Sequence, residues 1–174
     1  MRAFGLDPRT TLTRARRDRA ARRVLAALLV AIVALAVAGV LGARDQTATA
    51  VAADGTELEV TYSRVTRRGL SAPLKVEVRR PAPFPRGEPV VLRISSRYFD
   101  LWDANAVQPE PDAERSEGES LVLEFHPPQR GDTLRVLFDS RVDPSFGGSR
   151  TALVELMGGR APLAFIDVET RVLP

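Results

Sequence analysis

Two hydrophobic rhythms divide the chain. Between Val24 and Ala43, twenty successive residues (VLAALLVAIVALAVAGVLGA) carry neither charge nor a side-chain hydrogen-bonding group. From Glu57 onward, apolar residues instead recur at every second position. At about 1.5 Å of rise per residue, a helix over 24–43 spans roughly 30 Å, the thickness of a bilayer's hydrocarbon core. A helix also satisfies its backbone polar groups internally, as lipid requires. The uninterrupted run therefore predicts a transmembrane helix, and the period of two predicts strands with one buried face.

The alternation is cleanest where Leu74, Val76 and Val78 are interleaved with Lys75, Glu77 and Arg79. Leu58, Val60 and Tyr62 precede it in the same rhythm. Val90, Leu92 and Ile94 follow, and that strand continues or bends through Tyr98, Phe99, Leu101 and Trp102. Further strands are predicted at Leu121–Phe125, Leu134–Phe138, Ala152–Leu156 and Ile166–Val172. Leu163 and Phe165 fall in the opposite phase to the last of these, which predicts a bulge or two-sided burial near Phe165. The prolines of PAPFPRG (81–87) make a stiff extended connection that cannot pair as an interior strand. Asp103–Glu119 forms the longest gap, with six carboxylates against Arg115. The fold class is thus mainly β: a single N-terminal transmembrane helix followed by an antiparallel β-sandwich, immunoglobulin-like, of seven or eight strands. A jelly roll or small barrel is the alternative, because periodicity does not give strand order.

Charge sharpens the division. Residues 1–23 hold eight arginines against Asp7 and Asp18, a net of +6, whereas the rest holds 17 basic and 20 acidic residues, a net of −3. The high overall pI therefore describes a basic tail, and no nucleic-acid partner is expected. The tail predicts an N-terminus in the cytoplasm and a C-terminal domain outside it. The expected organisation is a basic tail (1–23), a transmembrane helix (24–43), a linker (44–55) and an extracytoplasmic β domain (56–174). A cleaved signal peptide would have a shorter apolar core, although Ala48-Thr49-Ala50 offers a small-x-small site; length favours a retained anchor.

Several local stretches (LKVEVRRP at 74–81, YFDLWDANAVQPEP at 98–111, FHPPQRGDTLRV at 125–136 with FDSRVDP at 138–144, and the closing DVETRVLP) resemble a group of small single-pass membrane proteins of high-GC, actinobacterial-type bacteria with an extracytoplasmic immunoglobulin-like domain. The resemblance implies fold and location, and no activity.

Candidate chemistry is sparse. There is no cysteine, and His126 is the sole histidine, so thiolate sites, multi-histidine metal sites and a triad with a spare base are excluded. Asp100, Asp103, Asn105, Glu110 and Asp112 supply oxygens of the kind calcium takes, but without the regular spacing of a calcium loop. No catalytic, cofactor or metal residue is therefore assigned. A strand can bury only one phase of the cluster 98–102. The cluster therefore reads as core and loop-packing aromatics, with either Tyr98 and Trp102 or Phe99 and Leu101 nearer the surface. The functional alternative is a partner contact at Tyr98 and Trp102 beside the acidic Asp103, Glu110 and Asp112. The function these features favour is a membrane-anchored, non-enzymatic interaction or accessory protein of the cell envelope. Its partners would be the lipid bilayer through 24–43 and another membrane or envelope protein. An envelope ligand- or glycan-binding module is the alternative, which an aromatic pocket near Trp102 would favour.

Overall fold

The computed structural model describes residues 22–34, 44–128 and 130–174, with the backbone alone at 104 and 105. The chain divides into two compact units, one on each side of the Gly42–Ala43 peptide. In the first, residues 22–34 form a helix, α1, about 20 Å long at 1.5 Å per residue. Val24, Leu25, Leu28, Leu29, Val30, Ile32 and Val33 are each more than half exposed. At 100° per residue those positions cover about 240° around the helix axis, and the exposed Ala27, Ala31 and Ala34 occupy the remaining arc. Among the described residues no helix is long and apolar enough to cross a membrane. Residues 1–21 and 35–43, on which the tail and the rest of the expected span fall, lie outside the described residues.

The second unit is built of strands. In chain order these are β1 (Arg44–Val51), β2 (Glu57–Arg67), β3 (Leu74–Arg79), β4 (Val90–Ser95), β5 (Trp102–Gln108), β6 (Ala113–Glu117), β7 (Ser120–Phe125), β8 (Thr133–Val142), β9 (Gly148–Gly158) and β10 (Ala161–Leu173). A short 3-10 helix, η1 (Ser96–Leu101), separates β4 from β5. The alternating apolar residues face one core. Leu58, Val60, Val76, Val78, Val136 and Phe138 pack there with Leu92, Ile94, Leu123, Phe125, Val154 and Val168. The charged residues between them point outward.

Hydrogen bonding joins all ten strands into one curled sheet, a half-barrel. Along it the order is β5-β8-β3-β2-β10-β9-β4-β7-β6, and β1 pairs with β2. Neighbours are antiparallel except β2 and β10, which run parallel over only three residue pairs, Val65–Arg171 to Arg67–Leu173. That short contact joins two five-stranded halves, β1-β2-β3-β8-β5 and β10-β9-β4-β7-β6. The expected seven or eight strands in two sheets are thus, among the described residues, ten strands in one continuous ladder, because the end of β10 pairs with β9 on one edge and with the end of β2 on the other.

Two segments expected to be irregular are strands. Arg44–Val51, anticipated as part of a linker, is β1, paired with β2 from Arg44–Val65 to Val51–Glu57. Its apolar positions are alanines, Ala48 and Ala50, which pack against the core while giving little hydropathy contrast. The acidic gap after Trp102 contains β5 and β6. The β6 residues are all exposed, so its sequence carries no buried-face pattern. Its pairing with β7 makes it a strand, supported by Arg115 bonding Glu117 at 2.7 Å and reaching Glu124. The anticipated irregularity near Phe165 is a bulge between Pro162 and Ala164, and it leaves Leu163 and Phe165 exposed.

Candidate functional site

The strands define two ends of the second unit: a proximal end where β1 starts at Arg44, and a distal end where β2 starts at Glu57. Two connections cross between the halves at the distal end. Residues 80–89 lead from β3 to β4, and residues 126–132 lead from β7 to β8. A hollow of about 610 Å³ lies between them, lined by Pro83, Phe84, Arg86, His126, Pro128 and Arg130 among others. The two connections share a spacing, Pro-x-x-Arg-Gly, at Pro83–Gly87 and Pro127–Gly131. Gly87 and Gly131 both adopt positive φ, 82° and 101°. A residue with a Cβ is strained there, so glycine lets each connection turn directly after its arginine.

Arg80 ties the two connections together. Its backbone N–H donates to the Asp132 carbonyl at 2.8 Å, and its guanidinium stands over the Phe84 ring, 5.7 Å from the centroid. Its Nε is buried without an acceptor among the described residues. Nearby, the Thr56 N–H and hydroxyl both donate to the Asp54 carboxylate at 2.9 Å. These bonds, with the Arg80 charge adding to them, hold Asp54 below the ordinary carboxylate range. A second hollow of about 220 Å³, lined by Asp54, Arg80, Phe84, Glu88 and Leu163 among others, adjoins the first through Phe84 and Pro85. Proline offers no N–H, and its ring fixes the backbone. The larger hollow therefore presents proline-rich walls with cationic corners at Arg86 and Arg130.

The anticipated contact residues are not brought together as one surface. Tyr98 and Trp102 lie in the core, 2% and 9% exposed. The reason is η1: a 3-10 turn places Tyr98 and Leu101 on one side at a spacing of three, where a strand would have opposed them. Tyr98 meets Trp102 edge-on at 5.3 Å between centroids, and Trp102 also meets Phe99 at 5.2 Å. Burial pushes the Tyr98 hydroxyl up to about 12, against the opposing effect of its bond to Thr170.

Asp103 is exposed at the proximal end, beside the Trp102–Val142 pair, whereas Glu110 and Asp112 follow β5. At about 3.3 Å per residue, β5 carries Glu110 roughly 20 Å from Asp103. The carboxylates considered for calcium therefore do not converge. Among the described residues, no three His, Asp or Glu side chains gather to hold a metal. Asp112 instead meets the exposed imidazole of His126, and its N–H donates to the Glu124 carbonyl at 2.8 Å. Of the anticipated residues, Asp112 alone thus reaches a residue that lines the distal hollow.

The hollow itself was not anticipated. Its local signal is the repeated Pro-x-x-Arg-Gly, but its walls come from connections more than 35 residues apart. Their meeting depends on strand order. No family model matches the chain, and no curated protein matches it.

Proposed function

We propose that this chain is a membrane-anchored, non-enzymatic interaction protein of the cell envelope. The apolar run 24–43 crosses the bilayer, the arginine-rich tail remains in the cytoplasm, and the β domain stands outside. The observation that carries the reading is α1, which from Val24 to Ala34 is apolar and exposed on every side, by large side chains over most of its circumference and by alanines over the rest. A helix that is apolar all round needs a protein core or lipid around it. The charge asymmetry across 24–43 and the resemblance to single-pass envelope proteins support the same orientation. The two five-stranded halves are read as the layers of an immunoglobulin-like sandwich joined along β2 and β10.

In this reading the distal hollow is the partner surface. It lies at the end of the strands away from Arg44, and its proline walls need little ordering when a partner docks. Arg86 and Arg130 suit an extended segment of another envelope protein that carries carboxylates. Photo-crosslinking in cells tests this. A crosslinker at Arg130 should recover one reproducible membrane protein, a crosslinker at Phe165 should not, and Arg86→Glu should abolish recovery. Equal recovery from both positions, or none from Arg130, would contradict the assignment.

A further inference from the structure

Arginines gather at the proximal end. Arg44 opens β1; Arg64, Arg67 and Arg68 lie at the end of β2; Arg141 lies at the end of β8; Arg150 and Arg171 lie at the termini of β9 and β10. Strand register gives them a common location. Val65 pairs with both Arg44 and Arg171, Arg67 pairs with Leu173, and Arg141 bridges Ser71. The turn after β2 is clamped to the end of β8 by Gly69 N–H to Val142 O (3.0 Å) and Val142 N–H to Leu70 O (2.9 Å). The Arg68 guanidinium lies against Gly147, where an added Cβ would stand 2.6 Å from Nη2. The Arg150 guanidinium stacks 4.6 Å from the centre of the Phe146 ring.

Four acids share this end against the seven arginines: Asp100 and Asp103 are exposed beside the start of β5, and Asp45 and Asp143 are engaged locally. Asp45 accepts the Ser63 hydroxyl at 2.7 Å. Asp143 accepts the Ser145 N–H and hydroxyl at 2.6 and 2.7 Å, which hold it below the ordinary carboxylate range. At the tip of the β2–β3 turn, beside Arg67 and Arg68, Leu70 is 47% exposed. The rim therefore combines concentrated positive charge with an exposed leucine, on a domain whose net charge is −3.

We propose that this rim docks on the anionic head groups of the bilayer that holds the anchor, an inference that rests on the anchor reading above. Ladder pairing begins at Arg44, the residue that follows the apolar run in the sequence. Anionic lipid attracts basic side chains within about a Debye length, roughly 8–10 Å. With 24–43 across the bilayer, Arg44 follows the span directly in sequence and brings the rim arginines within reach of this range, and Leu70 is exposed among them. The acidic remainder of the domain is repelled by the same surface, which turns the distal hollow outward.

The test uses the full chain, which contains no cysteine, with one fluorophore at Ser149→Cys or at Ala161→Cys. Ser149 pairs with Arg171 at the rim, and Ala161 opens β10 at the distal end. The chain is reconstituted into vesicles of phosphatidylcholine alone or mixed with phosphatidylglycerol. In the mixed vesicles, the label at 149 should be shielded from an aqueous quencher, and 1 M salt should release it; the label at 161 should respond to neither. Replacing Arg64, Arg68 and Arg171 with Gln should weaken docking roughly a hundredfold, at about fivefold per arginine. Leu70→Ser alone should weaken it less, and it serves as the second variant if the triple one misfolds. Flotation with both vesicle types but no effect of lipid charge at 149 would overturn the rim and leave the anchor standing. Failure to float with either would overturn both.

Discussion

The Tyr98 hydroxyl lies 2.6 Å from the Thr170 hydroxyl inside the core, linking η1 to the C-terminal part of β10. Unfolding frees Tyr98 to ionise near its ordinary value of 10.0, whereas the folded state holds the proton to about 12. Stability from this group is therefore complete below pH 10 and lost as pH rises through 12. The loss is about 2–3 kcal/mol at about 1.4 kcal/mol per pH unit. Tyr98→Phe should cost about 1–2 kcal/mol at pH 7, since it strands the Thr170 hydroxyl. It should also flatten the alkaline limb of a denaturation series run from pH 9 to 12.

On the outer face, Arg93 grips Glu155 through two hydrogen bonds of 2.6 and 2.8 Å. The glutamate side chain is 9% exposed. Arg93→Met leaves that carboxylate buried without its partner and should cost about 3 kcal/mol in urea denaturation. Adding Glu155→Leu should restore most of the loss, because a well-packed apolar pair avoids the desolvation of two charges.

Thr66 is fully buried where β2 meets β10, and its hydroxyl has no hydrogen-bond partner among the described residues. Thr66→Val removes an unmet polar group with little change of shape. It should raise stability by about 1 kcal/mol, read as a higher urea midpoint at unchanged slope.

Arg135 at 2.8 Å, then Arg79 at 2.6 Å, hold the Glu77 carboxyl below its ordinary value. As pH falls, the unfolded chain takes up this proton before the folded one. The contribution of Glu77 is therefore present above about pH 4.5 and lost below it. Glu77→Gln should lower stability at pH 7 and give a shallower acid limb than the parent chain between pH 5 and 2.

Much of the β architecture was legible because side chains declare which face they occupy. Leu74, Val76 and Val78 carry strong contrast with their neighbours, and β3 has the anticipated alternation. Contrast failed in β1, whose buried positions are alanines, and in β6, which has no buried position and depends on β7 for its pairing. At residues 96–101 the error was one of period: aromatic density resembled a strand, while a turn of three buried Tyr98 and Leu101 together. The distal hollow and the arginine rim depend on strand order, which places Arg86 near Arg130 and Arg68 near Arg141. The repeated Pro-x-x-Arg-Gly marks the two distal connections, but nothing in local sequence brings them, or the proximal arginines, together.

The orientation of the β domain is tested most directly by labelling Ser116→Cys, an exposed β6 position in a chain with no other cysteine, with a membrane-impermeant maleimide. The reading predicts full labelling on intact cells and recovery of the labelled, full-length chain with the membranes. Labelling only after lysis, or a labelled product shortened at its N-terminus and free in the medium, would contradict it.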